Sequence, residues 1–265
     1  MLPKKYIIES IEKGLGRITL YRPEVHNALH IEMIRELTES IINLDNSALI
    51  RTIIIDAKGK NFSAGADLNW MKKGLEQSEE ELFRESKELA ILFHTIYSSS
   101  KVTLVVTKGK VLGGANGIVA AADMSIASPE TTFAFTEAKL GLIPATIAPY
   151  IARKTGSSIA KEWMLTARNI DAYEAYNRGL VNWLLTEDAI AEKIQEITGL
   201  INNNGPLALN GIKELFKKDG LTDDPGLMID FTSKLIAKFR VSKEGQEGIK
   251  AFFEKRKADW QNEDH

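Results

Sequence analysis

The hydrophobic pattern changes period several times along the chain. Tyr6 to Ser10 and Arg17 to Tyr21 are rich in β-branched and aromatic residues, with Lys13-Gly14-Leu15-Gly16 between them. That pattern predicts two strands closed by a tight turn. Pro23 ends the second strand. From Ile31, the apolar residues Ile34, Leu37, Ile41 and Leu44 recur at helical spacing. Thr52 to Ile55 predicts a short buried strand, followed by a loop from Lys58 to Asp67. Glu79 to Tyr97 predicts a second amphipathic helix, with Leu82, Leu89, Leu92, Phe93 and Ile96 on one side. Val102 to Thr107 reads as a strand that Gly113-Gly114 breaks. Ala115 to Ala122 reads as a helix of small residues, and Ser125 to Ala127 and Thr132 to Thr136 as short strands. Beyond Pro144 the pattern is mostly helical. Strand–helix alternation before a helix-rich tail predicts an α/β core with an α-helical C-terminal region. The cluster Asn202-Asn203-Asn204-Gly205-Pro206 is the best candidate boundary, giving a core over 1–204 and a helical region over 205–265.

Composition narrows the function classes. A chain of 265 residues can bury a sizeable core without covalent staples. It has no cysteine, which excludes disulfides, thiolate metal sites and cysteine nucleophiles. Four histidines without metal-ligand spacing point to no metal site. A formal net charge of -2 gives no basic field for nucleic acid. The start, MLPKKYIIES, has no signal-type apolar run, and no stretch is long and apolar enough to span a bilayer, so the expected location is cytoplasmic, with no membrane partner.

Three segments carry candidate chemistry. Phe62-Ser63-Ala64-Gly65-Ala66-Asp67-Leu68 follows a predicted buried strand and holds small residues that let a ligand approach backbone N–H groups. Val111-Leu112-Gly113-Gly114-Ala115-Asn116-Gly117 leads from a strand into a helix, where unpaired N–H groups and the helix dipole favour an anion. Taken alone, each loop fits equally well a tight corner chosen for packing. Neither is a phosphate loop, since both lack Gly-Lys-Ser/Thr and GxGxxG. In Phe133-Ala134-Phe135-Thr136-Glu137-Ala138-Lys139-Leu140-Gly141-Leu142-Ile143-Pro144 a carboxylate stands among apolar residues. Desolvation there would raise its pKa toward the range useful for proton transfer. The plain alternative is a surface Glu137 paired with Lys139.

In order and spacing these segments resemble the crotonase (enoyl-CoA hydratase/isomerase) family over nearly the whole chain. Arg22-Pro23-Glu24-Val25-His26-Asn27-Ala28-Leu29 is similar to the family's first coenzyme A loop, and Phe62 to Leu68 to its signature loop. Gly113-Gly114 with Asp123 is similar to its second block, Phe133 to Pro144 to the segment bearing a catalytic glutamate, and Ala251 to Lys257 to its closing helix. The resemblance implies an α/β fold, a crotonase-like spiral of ββα turns with an α-helical C-terminal region. It implies an acyl-CoA thioester as substrate, with coenzyme A part of that substrate and no further cofactor. It implies catalysis by Glu137 with the Ala66 and Gly114 N–H groups as an oxyanion hole. It also implies substrate contacts from Ala28, Ala64, Asp67, Leu68, Gly113, Gly117, Leu142, Phe252 and Lys255. The expected assembly is a homotrimer or a hexamer, a dimer of trimers.

The chain departs from the pattern at Gly117, where typical hydratases carry a second glutamate. That puts two-carboxylate hydration in doubt and opens isomerisation and decarboxylation. Asp67 to Met71 and Leu142 to Tyr150 resemble bacterial 3-methylglutaconyl-CoA hydratases, in which glycine also tends to stand at the position of Gly117. The expectation is therefore hydration of a branched 2-enoyl-CoA, with Gly117 leaving room beside Glu137 for a β-substituent; the plain alternative is that Gly117 only relieves packing in a tight corner. A 3,2-enoyl-CoA isomerase and a catalytically silent CoA-binding relative are the alternatives. Among other polar residues, Asn116 would point roughly 100° away from the vacant position on a helix. His94 reads as a satisfied, partly buried histidine and His26 as exposed. Asp67 and Asp123 read as loop-holding or helix-capping acids, and the plain reading of Phe252 to Lys257 is an amphipathic helix with a solvated face.

Overall fold

Lys13 and Gly14 both adopt positive φ, 46° and 78°, the geometry a two-residue hairpin connection requires. Around them β1 (Ile7–Glu12) and β2 (Leu15–Leu20) pair antiparallel. The computed structural model describes residues 4–217 and 224–261. After β2 comes α1 (Ile31–Asp45), which buries Ile34, Leu37, Ile41 and Leu44, the stripe its periodicity predicts, together with Met33. β3 (Thr52–Ala57) lies parallel to β2, with Ile53, Ile54 and Ile55 fully buried. A short α2 (Leu68–Gly74) follows the first glycine loop, and α3 (Glu79–Ser98) starts on a capping box in which Ser78 and Glu81 satisfy each other's N–H groups.

From β4 (Val102–Thr107) onward the chain repeats one move, in which a strand of one sheet is followed by a strand of another and then a helix. β4 is followed by β5 (Lys110–Leu112) and α4 (Ala115–Ala121); β6 (Met124–Ala127) is followed by β7 (Thr132–Ala134), a 3-10 turn (Glu137–Leu140), α5 (Ala148–Thr155) and α6 (Ser157–Thr166). β8 (Asn169–Asp171), α7 (Ala172–Asn177) and β9 (Trp183–Leu184) come next. One sheet has the order β1-β2-β3-β4-β6-β9 and the other β5-β7-β8. β4 and β6, β6 and β9, and β5 and β7 are parallel pairs, as the crossing helices require. Sequence periodicity does not reveal β5, β8 and β9, and β7 stops at Ala134 rather than Thr136.

The described residues form two compact units, one within residues 1–99 and 103–192 and the other within residues 100–102 and 193–265. The division falls inside α8 (Glu187–Asn202), upstream of the Asn202–Pro206 cluster. The first unit has a continuous core that includes Ile18, Leu20, Phe62, Phe93, Phe133 and Trp163. In the second unit α9 (Pro206–Phe216), α10 (Pro225–Val241) and α11 (Lys243–Glu254) follow. The Glu244 carboxylate there accepts from the Leu207 and Ala208 N–H groups at the start of α9 (2.9 and 2.8 Å).

Candidate active site

Three chain segments run side by side into the same edge of the first unit. Ser63 bridges Val111 in parallel, its N–H donating to the Lys110 carbonyl and its carbonyl accepting from Leu112 N–H, each at 3.1 Å. On the other side of β5, Leu112 registers with Ala134, and the Gly113 N–H donates to the Ala134 carbonyl at 2.9 Å. Ala66, Gly114 and Glu137 each lie just past one of these paired positions, so the fold gathers residues that are far apart in sequence. Both connecting glycines are needed. Gly65 has φ 86°, and a Cβ there would stand 2.8 Å from the Leu112 carbonyl oxygen. Gly113 has φ 51°, and a Cβ there would stand 3.2 Å from Glu137 Oε1.

The Ala66 and Gly114 N–H groups have no acceptor among the described residues. In the first loop, Leu29 N–H donates to the Gly65 carbonyl (2.7 Å) and Asp67 N–H to the Leu29 carbonyl (2.8 Å), a parallel bridge that passes over the Ala66 N–H. In the second, Gly114 caps the start of α4, where helical geometry leaves N–H groups unpaired and partial positive charge collects. Ala66 is exposed and Gly114 half-buried.

Glu137 opens the 3-10 turn after β7 and is half-buried. Its Oε2 is shielded from solvent and has no hydrogen-bond partner among the described residues. Burial pushes its pKa above the usual glutamate value, opposed by a hydrogen bond from its own backbone. Lys139 is exposed and forms no ion pair with it, so the surface-pair alternative does not hold. The Phe135 ring stacks on Trp163 in the core, with centroids 6.0 Å apart and planes 15° apart, while Leu142 and Ile143 are exposed.

The room expected beside Gly117 is corrected. Gly117 is buried in α4, and a Cβ there would lie 2.5 Å from Phe93 Cζ and 2.6 Å from Ile147 Cγ2. The space that a side chain at 117 would enter is already filled by a ring from α3 and a branched chain from the start of α5. Both signals lay in the sequence as apolar positions, but only the fold brings them to Gly117.

The remaining candidates divide into supports and bystanders. Asp67 caps α2, accepting from the Asn69 and Trp70 N–H groups (2.8 and 3.2 Å), and pairs with Arg22 Nη2 at 3.0 Å. Burial alone would raise its pKa. Hydrogen bonds from the Trp70 N–H, the Arg22 guanidinium and the Asn69 N–H outweigh that and hold it below the usual carboxylate value. Arg22 also donates to the Ala28 carbonyl at 2.6 Å, tying the loop that contains buried Ala28 to the signature loop. Ala64 joins the same loops through its N–H to the His26 carbonyl (2.9 Å), and Leu68 is exposed at the start of α2. Asp123 Oδ2 accepts from the Thr103 N–H and hydroxyl (2.7 and 2.8 Å), a loop-holding acid as expected. His26 is exposed; His94 is exposed as well, contrary to the expected partial burial, because it faces away from the Leu92–Phe93–Ile96 stripe. Phe252 and Lys255 belong to the second unit, Phe252 exposed on α11 and Lys255 capping its end with φ 52°. Asn116, set aside on angular grounds, is fully buried and bonds two carbonyls of the site. No group of three or more histidine or acidic side chains able to hold a metal occurs among the described residues.

A sequence model of the enoyl-CoA hydratase/isomerase family matches residues 10–263. The chain belongs to this family. A Thermus thermophilus protein named as an enoyl-CoA hydratase is 33% identical over 251 residues, covering 93% of this chain and 97% of its own. An enoyl-CoA hydratase from Shewanella pealeana of known crystal structure superposes with a TM-score of 0.92 at 36% identity, covering 97% of this chain and 96% of its own. A Legionella pneumophila protein described as an enoyl-CoA hydratase/isomerase (crotonase) does so with a TM-score of 0.89 at 37% identity, over 96% and 98%. The fold is thus the crotonase fold, α/β with a helical C-terminal region, and family membership implies an acyl-CoA substrate. No helix among the described residues is long and apolar enough to cross a membrane.

Proposed function

We propose that this enzyme adds water to a 2-enoyl-CoA thioester, with Glu137 as the acid/base group and the Ala66 and Gly114 N–H groups holding the thioester oxygen. The observation that carries the reading is the desolvated Glu137 carboxyl on a segment linked through β5 to two loops, in which the Ala66 and Gly114 N–H groups have no acceptor among the described residues. As water attacks the β-carbon, Glu137 takes its proton. The new C–O bond forms while the C=C electron pair moves through the α-carbon onto the thioester oxygen. The two donors stabilise that charge without having to reorganise, each typically worth about 3 kcal/mol. Protonated Glu137 then delivers its proton to the α-carbon, the enolate collapses, and the sum is one water added. Only one carboxylate takes part, so it must act twice in succession.

Hydration is favoured by the likeness to relatives named as hydratases. A preference for a branched, 3-methylglutaconyl-like acyl group rests on the motif resemblance alone, since the space beside Gly117 is filled. One observation favours a second reading, 3,2-enoyl-CoA isomerisation. Where a second carboxylate would hold water, Phe93 and Ile147 present apolar atoms, and moving a proton between two carbons needs no water. A panel of linear, β-methyl and β-carboxymethyl enoyl-CoAs separates the two. Hydration abolishes the absorbance of the conjugated enoyl thioester, whereas isomerisation of a 3-enoyl-CoA creates it. Absence of both reactions across the panel, with CoA thioesters still bound, would replace catalysis by a silent binding role. We propose a cytoplasmic homotrimer or dimer of trimers as the working assembly, supported by exposed apolar side chains on the second unit such as Leu207, Ile212, Phe216 and Ile236; light scattering measures it.

A further inference from the structure

We propose that Asn116 is a positioning residue that aims the Gly114 N–H at the thioester oxygen, an inference that rests on the oxyanion reading of that N–H. Asn116 stands in the first turn of α4 and is fully buried. Its Nδ2 donates to the Gly113 carbonyl at 2.9 Å and to the Ala134 carbonyl at 3.0 Å. Both acceptors are carbonyls, so the amide nitrogen must be the atom that faces them.

The Gly113 carbonyl and the Gly114 N–H are the two ends of one peptide group. That group is planar, so fixing the direction of the carbonyl fixes the direction of the N–H. The Gly113 carbonyl also accepts the Asn116 backbone N–H at 3.0 Å, so one residue grips it twice. Hydrogen bonds accepted by a carbonyl polarise its peptide and make the N–H at the far end a stronger donor. The second Nδ2 bond reaches Ala134, the last residue of β7 before the chain turns to Glu137, and Ala134 also receives the Gly113 N–H. Asn116 thus ties the donor peptide to the strand end that carries the acid/base group. The other donor is held comparably, with the Gly65 carbonyl accepting Leu29 N–H at 2.7 Å behind the Ala66 N–H, but by backbone alone.

A purely structural role accounts poorly for this side chain. Unpaired groups at a helix start are donors, which need acceptors, and Asn116 supplies the opposite. Both carbonyls already have a backbone donor, so neither would be orphaned without it. Its own Oδ1 is buried with no partner among the described residues, a cost that an apolar side chain of similar size would not carry.

The test uses the full chain and cinnamoyl-CoA as a probe. Hydrogen bonds to its thioester oxygen pull electron density along the conjugated system and move its absorption to longer wavelength. Wild type should bind the probe with such a shift. Asn116→Leu should bind it with a similar Kd and less than half the shift, and its kcat on crotonyl-CoA should fall roughly tenfold with KM nearly constant, since an oxyanion donor is misdirected rather than lost. Asn116→Thr should recover much of the shift, because a helical threonine hydroxyl can reach the carbonyl three or four residues back. If Asn116→Leu does not accumulate as folded protein, Asn116→Ala, which cannot clash, is measured instead. A full shift and full kcat in the leucine or alanine variant would overturn the role of Asn116 while leaving the oxyanion reading intact. Absence of any shift in wild type with the probe bound would overturn both.

Discussion

Replacing Gly117 by alanine should destabilise the first unit, although alanine is the better helix former by about 1 kcal/mol. The new Cβ would stand 2.5 and 2.6 Å from two atoms of the Phe93 ring and 2.6 Å from Ile147 Cγ2. Carbon atoms in contact ordinarily sit about 3.5–4.0 Å apart, so each neighbour must retreat by roughly 1 Å. Phe93 and Ile147 are 0% and 1% exposed and cannot swing out into solvent. Overpacking of this kind costs about 1–3 kcal/mol, and two fixed neighbours place it toward the upper end. After the helix-propensity gain, the net loss is about 1–2 kcal/mol. Urea unfolding of Gly117→Ala, Phe93→Leu and the double variant forms a cycle, in which the double variant should be about 1 kcal/mol more stable than the sum of the single changes implies. A Gly117→Ala protein as stable as wild type would mean that the space is open, and the account of a filled position would fail. The same collision predicts that Gly117→Glu impairs linear and branched enoyl-CoAs alike, since it disturbs the core rather than an acyl pocket.

Glu137→Gln keeps the shape of the side chain and removes its proton chemistry, so turnover should fall roughly 10²–10⁴-fold with thioester binding nearly intact; near-normal turnover in the variant would exclude Glu137 as the acid/base group. Burial raises the Glu137 pKa, so the folded protein favours its neutral form. Its contribution to stability is therefore lost as pH rises through that pKa, and Glu137→Gln should be more stable than wild type at pH 8, an advantage that shrinks toward pH 4 in thermal unfolding scans. The Asp67 pKa is shifted the other way, so its contribution is present above the unfolded-state value and is lost as pH falls through the lowered one. Asp67→Ala removes the α2 cap and leaves Arg22 without its carboxylate; a loss of about 1–2 kcal/mol by urea unfolding is expected at pH 7.

How much of this was legible in the sequence depended on how local each signal was. The stripe of α1, the Leu92–Phe93–Ile96 part of the α3 stripe, the buried run of β3 and the hairpin at Lys13-Gly14 are set by neighbouring residues, and periodicity found them; Leu82, expected on the α3 stripe, is exposed. β5, β8 and β9 span two or three residues, too few for any period to register. The two glycine loops were visible as gaps in side-chain volume, and Glu137 as a carboxylate in an apolar setting. Burial does raise the Glu137 pKa as that setting implies, while Phe135 stacks on Trp163 and Leu142 and Ile143 are exposed. The room expected at Gly117 is filled. A glycine marks where a side chain is missing, but what occupies the space comes from α3 and the start of α5, far away along the chain. Asn116 was dismissed because it does not face position 117. That geometry was sound, but its partners are backbone carbonyls, which no side-chain pattern displays.

Two of the three groups assigned to the reaction here are peptide N–H groups, and this shapes what genetics can see. Alanine scanning deletes side chains, so a scan of this site would register Glu137 and pass over Ala66 and Gly114 as donors. As donors, those two positions are blind to the identity of the side chain they carry. Only replacing the amide by an ester removes such a donor without adding a side chain. On the proposed mechanism, lineages built on this scaffold can exchange the groups around the acyl chain, because the donors proposed to stabilise the enolate are written in the course of the backbone and survive any substitution that leaves that course unchanged.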